Sequence, residues 1–161
     1  MGIAETLAAI QAAMQGIDLF LKLGDRYSGF QTLGLQADPT PYLPLEREIL
    51  RRDPTGKLGY DKVFATVGMR TEKCMKSLVR GLEDDDLLPD ERERLGRQAR
   101  RCVCREIKVV LEFIQREQIP ADLLDQWSFH GCAEFYPNLA PISKAHRRPD
   151  AQRWRGLWPH P

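Results

Sequence analysis

Residues 3–24 read "IAETLAAIQAAMQGIDLFLKLG". Ile3, Leu7, Ile10, Met14, Ile17 and Leu21 recur at spacings of four and three, the seam of a helix built to pack against another. Gln11, Gln15, Asp18 and Lys22 keep the same rhythm on a second face. Ala8, Ala9, Ala12, Ala13 and Gly16 form a small-sided flank that lets a neighbouring helix come close. The spacing predicts a helix over 3–23, ended by Gly24 at the C′ position. A transmembrane span needs roughly twenty apolar residues, and Asp18 and Lys22 interrupt this run too early. A signal peptide needs a basic start, and the only charge ahead of the apolar run is Glu5.

The remaining chain continues the helical pattern. "DPTPYLP" places Pro39, Pro41 and Pro44 within six positions, which no helix runs through. Helices are expected at 44–52, with Pro44 in the first turn, at 59–82 and at 89–118. A last short one starts near Pro120 and carries Leu123, Leu124 and Trp127. Residues 25–37 read as a turn and the start of a further helix. The acidic "EDDD" at 83–86 is a solvated turn. No alternating run long enough for a strand occurs, so the class is all-α, a bundle of about four to five helices. The helical domain covers 1–135. Residues 136–161 form a Pro-rich basic tail with five prolines, expected to be flexible.

The 161 residues carry a net charge of +1, with 42% apolar and 29% charged residues, so no global charge pulls the chain toward nucleic acid or membrane. Cys74, Cys102, Cys104 and Cys132 are too sparse for a disulfide scaffold, and free, mostly buried thiols in a reducing, cytoplasmic setting are expected. A zinc site from these cysteines and His130 is disfavoured, because residues two apart on a helix, such as Cys102 and Cys104, point away from each other. "HGCAEF" at 130–135 lacks the paired-cysteine motif that a zinc deaminase needs. A Cys132 nucleophile paired with His130 or His146 has no orienting group. No phosphate loop or carboxylate pair stands out. The reading is therefore non-enzymatic, without a cofactor or a metal. Arg97, Arg100, Arg101, Arg105 and Lys108 make a basic surface on the long helix. Its plain reading is a solvated face laced with ion pairs, and nucleic acid is disfavoured as a partner.

The order Gly2-Ile3, a small-residue apolar helix, Asp18, Phe20, Leu23-Gly24 and then Phe30-Gln31-Thr32-Leu33 with Leu35 resembles the start of the fungal HeLo domain, the prion-inhibition-and-propagation family. The likeness covers residues 2–36. The family continues its second helix to a tryptophan, whereas here the three prolines intervene. What the resemblance implies is a cytosolic helical bundle whose N-terminal helix is packed at rest. On activation that helix is released onto a membrane, in programmed cell death during heterokaryon incompatibility or defence. Ile3, Leu7, Ile10, Met14, Ile17, Phe20 and Leu21 would carry the membrane or partner contact. The alternative is a plain helical interaction module, working through protein partners or self-association, whose first helix never leaves the core.

Overall fold

The computed structural model describes residues 2–23, 38–84, 86–124 and 130–137. Gly24, the 25–37 segment with the second half of the HeLo-like stretch, Trp127 and the tail beyond 137 lie outside the described residues. Within them the protein is an all-α bundle of four α-helices: α1 (Ile3–Leu23), α2 (Leu43–Arg52), α3 (Tyr60–Leu82) and α4 (Pro89–Arg116). Short 3-10 turns lie at Thr40–Tyr42, Ala121–Leu124 and His130–Cys132. Four helices were expected within a residue or two of these bounds. Of the short helix expected after Pro120, the described residues show a 3-10 turn at Ala121–Leu124, and the rest lies outside them.

The helices begin and end for local reasons. Proline occupies the first turn of α2 and of α4, where its missing N–H costs nothing. Asp53 ends α2 and is itself buried; its carboxylate accepts the Leu58 N–H at 3.0 Å and the Tyr60 N–H at 3.3 Å. One acid thus shapes the "DPTGKLG" loop and caps the start of α3. Gly56 and Gly59 supply the positive φ this loop requires. At the far end of α4, Gln118 takes a left-handed φ of 54°, with Gln118 N–H bonded to the Gln115 carbonyl and Ile119 N–H to that of Ile114. That is a Schellman ending built without glycine. Arg52 of α2 donates to the Glu117 and Gln118 carbonyls there, a cation placed against the negative end of the α4 dipole.

α3 and α4 form an antiparallel pair in constant register. Along it follow Gly81 against Leu95, Cys74 bonded to Cys102, Arg70 beside Glu106, Phe64 edge-on to Phe113, and the Tyr60 hydroxyl donating to Glu117. α1 lies against both, and also touches α2 and the Thr40–Tyr42 turn. It is antiparallel to α4: Leu21 meets Gly96 and Asp18 meets Arg100, while Ile3 begins at the α2 end. A side chain at Gly96 would collide with Leu21, so this glycine sets how closely the two helices approach.

Burial of α1 runs further round the helix than its seam. Ala4, Thr6, Ala8, Ala12, Ala13, Gly16 and Phe20 are buried together with Ile3, Leu7, Ile10 and Ile17; Gly2, Glu5, Gln15 and Asp18 are exposed. A helix apolar on most of its circumference is a core helix.

The cysteines correct the expectation of free thiols. Cys74 bonds to Cys102 and Cys104 to Cys132, with Cα–Cα distances of 5.7 and 5.5 Å. The divergence of Cys102 and Cys104 on α4, which disfavoured a shared zinc, is what lets each reach a different partner. One faces α3 and the other the His130–Cys132 turn. Each bridge closes a loop of 28 residues.

Two outcomes follow for stability. Ile17→Ala should cost about 2–5 kcal/mol in urea denaturation, whereas Leu50→Ala, at a site 48% exposed, should stay within about 0.5 kcal/mol. Peptide mapping without reductant should recover the 74–102 and 104–132 pairs. Replacing Cys104 and Cys132 together by serine should lower stability by about 3–4 kcal/mol, the chain-entropy value for such a loop.

Candidate functional site: the first helix and the cleft at its end

The seven residues expected to carry a membrane or partner contact all face inward. Ile3, Leu7, Ile10, Ile17 and Phe20 are buried, and Met14 and Leu21 are partly buried against the same core. They form a continuous surface, covered by the bundle itself. Met14 lies under the His130–Cys132 turn, where a side chain at Gly131 would come within 2.6 Å of its terminal carbon. Glu46 of α2 reaches across to accept the Ala4 N–H at 3.1 Å, satisfying a free donor in the first turn of α1. At the other end Arg100 of α4 pairs with Asp18.

The five residues of the basic surface divide. Arg97 pairs with Glu134 at 2.5 Å and lies over the Phe135 ring. Lys108 pairs with Glu112 at 3.6 Å and lies over Tyr136. With Arg100 on Asp18, three of the five hold the bundle together. Arg101 and Arg105 are exposed. Phe135 and Tyr136 pack onto the core, so the ordered chain continues past the point where the composition turns Pro-rich.

Two features escaped the sequence reading. The first is a cleft of about 680 Å³ where the end of α1 meets the start of α4, lined by Asp18, Leu21, Leu87, Pro89, Arg92, Glu93 and Arg100. Arg92 has a buried terminal nitrogen with no hydrogen-bond acceptor. The second is Glu106, buried on the inner face of α4, with one carboxylate oxygen lacking a hydrogen bond and Arg70 4.0 Å away. Loss of solvent pushes its carboxyl above the usual range, against the pull of Arg70 and Arg105. Its signal was available in the sequence, because Glu106 falls in step with Val103 and Val110 on the apolar stripe.

All four cysteine sulfurs are in disulfides, so none is available as a nucleophile or a metal ligand. Among the described residues no three His, Cys, Asp or Glu side chains cluster to hold a metal ion. None of the described helices is long and apolar enough to cross a membrane. No protein-family model, curated protein or solved structure matches this chain.

Glu106 makes stability depend on pH. A carboxyl whose folded pKa lies above its unfolded value of about 4.3 binds its proton more tightly in the folded state. Its contribution is therefore most favourable below the unfolded value and declines as pH rises through the folded one. Glu106→Gln should melt at a higher temperature than the parent at neutral pH, and the difference should shrink toward pH 4 in thermal scans.

Proposed function

We propose that the protein is a non-enzymatic helical effector that stores α1 in its core and delivers it to a lipid surface or a partner, the role implied by the HeLo resemblance. One observation carries this reading. Both disulfides join elements around α1, and neither is attached to it. α3, α4 and the His130–Cys132 turn are tied covalently, while α1 is held by apolar packing, the Glu46 contact and the Asp18–Arg100 pair. The helix can leave a body that stays linked.

The energetics define what release requires. Ile3, Leu7, Ile10, Ile17 and Phe20 each contribute about 1.5–3 kcal/mol by burial, together on the order of 10 kcal/mol. That approaches the whole stability of a domain of this size, roughly 5–15 kcal/mol. α1 therefore leaves only for an equally apolar environment. Asp18 and Lys22 would each cost a few kcal/mol at a bilayer centre, so the helix lies in the membrane plane or in an oligomer. The same burial favours the second reading, an interaction module in which α1 stays in place. The two disulfides favour an oxidising compartment over the cytosolic setting that the resemblance implies, since such bonds are rare in reducing compartments, so the reading keeps the role of α1 and not that location.

A lock separates the two readings. Leu21→Cys with Gly96→Cys, placed at the close approach of α1 to α4, should form a third bridge in the oxidised protein. The parent and each single variant should release dye from phosphatidylcholine–phosphatidylserine vesicles, and the locked protein should not. Intact vesicles with the parent, or equal leakage from the locked form, would leave the interaction module standing.

A further inference from the structure

We infer that the outer face of the α3–α4 pair, the side turned away from α1, is a docking surface for a bilayer containing anionic lipid. The charged face stands on its own residues. The choice of lipid rests on the delivery reading above.

On α3, Lys62, Thr66, Met69, Lys73, Lys76 and Arg80 follow one another at spacings of four and three, a single stripe along the helix. On α4, Arg94, Gln98, Arg101 and Arg105 keep the same spacing, and all four are exposed. Arg105 lies roughly half a turn round α4 from Gly96 and Arg100, the residues that meet α1. The Cys74–Cys102 bond and the approach of Arg70 to Glu106 fix the register of the pair. That register sets Arg70 and Lys73 level with Arg101 and Arg105, and Arg80 level with the Arg94–Gln98 turn. Arg70 and Arg105 both pull on the Glu106 carboxyl, one from each side of the seam.

Few opposing charges stand on this face. Over residues 66–82 and 94–108 the acids are Glu72 and Glu106. Glu72 pairs with Lys76 at 3.2 Å, and Glu106 is buried between the helices. Just past this span, Glu112 pairs with Lys108 at 3.6 Å. Glu83, Asp84, Asp86 and Glu91 stand beyond Arg80 and Arg94 and weaken the field at that end, so its centre is Arg70, Lys73, Arg101 and Arg105. The whole chain carries only +1, so the face is a separation of charge within the molecule.

An anionic bilayer attracts each basic side chain held near its surface, and the attractions of several add. Met69, in the middle of the α3 stripe, is 61% exposed, an apolar side chain placed to enter the headgroup layer. Neither stripe contains an aromatic ring on which a nucleic-acid base could stack. Docking by this face leaves α1 on the far side of the α3–α4 layer, so attachment needs no release of α1.

The test uses the full oxidised chain, sedimented with vesicles of phosphatidylcholine alone or of phosphatidylcholine with phosphatidylserine. Binding to the phosphatidylserine vesicles over phosphatidylcholine alone is expected. It should be lost toward about 1 M salt, where charge attraction reaches only about 3 Å. Arg105→Gln should weaken it about fivefold, and Arg101→Gln with Arg105→Gln about tenfold or more. Arg47→Gln, at an exposed cation of α2, should leave it within about twofold. Met69→Ser should weaken it as well, with thermal melting confirming that each variant folds. No preference for phosphatidylserine, parental binding by the folded double variant, or an equal loss on Arg47→Gln overturns the surface. Binding of a duplex oligonucleotide without binding of either vesicle, or vesicle binding unchanged by Met69→Ser, overturns the choice of lipid. The locked Leu21→Cys, Gly96→Cys protein should sediment as the parent does while releasing no dye. Vesicle attachment and departure of α1 are thus read separately, and either can fail alone.

Discussion

Enclosing α1 is the constraint on which the other elements depend. α1 presents apolar or small side chains on most of its circumference, and no single neighbour can cover them. α3 and α4 cover two sides, and α2 with the Thr40–Tyr42 turn covers part of the rest. The alanines and Gly16 permit this, since larger side chains would hold the neighbours apart. Gly96 on α4 does the same from the opposite side. The long helices are amphipathic because each has one face to bury and one to solvate. α1 has almost no solvated face, so its position sets theirs.

The covalent and polar ties are arranged around that packing. α3 and α4 share one antiparallel register, marked by a disulfide, a ring pair, an ion pair and a hydroxyl–carboxylate bond. The second disulfide draws the His130–Cys132 turn onto α4, and the turn in turn covers Met14. Among the described residues α1 carries no disulfide, and polar ties to Glu46 and Arg100 hold its two ends. Disulfides that link α3, α4 and the His130–Cys132 turn around a helix carrying none are what make storage and release of α1 a physical reading of this bundle, and the apolar area of that helix is what makes release demanding.

Surface charge behaves differently from its appearance as a string of letters. Arg97, Arg100 and Lys108 look like one basic stripe with Arg101 and Arg105, yet they point to different partners. Arg97 and Lys108 hold aromatic side chains of the 135–136 segment, and Arg100 holds α1. Arg92 has a buried terminal nitrogen with no hydrogen-bond acceptor. Whether an arginine on a helix is solvated, paired or stranded depends on what another element places opposite it. The sequence of that one helix carries no such information.

Helix positions were legible from the chain alone because their causes are local. The apolar period marks α1, α3 and α4, and proline in the first turn marks the start of α2 and of α4. The divergence of Cys102 and Cys104 was equally legible, being a property of helical geometry. Their oxidised pairing was not, because a disulfide needs two Cα atoms brought within about 4.4–6.8 Å, and only the docking of α3 and of the His130–Cys132 turn onto α4 does that. Glu106 lay in plain step with the apolar stripe, but its burial and its raised pKa come from the neighbours that exclude water. The cleft at the end of α1 is wholly tertiary. It draws on residues from α1, on Leu87 and on α4, more than sixty positions apart in the chain, and exists because the end of α1 lies against the start of α4. Local sequence determined which segments are helices and which faces are apolar; the mutual approach of those helices decided which charges, thiols and cavities meet.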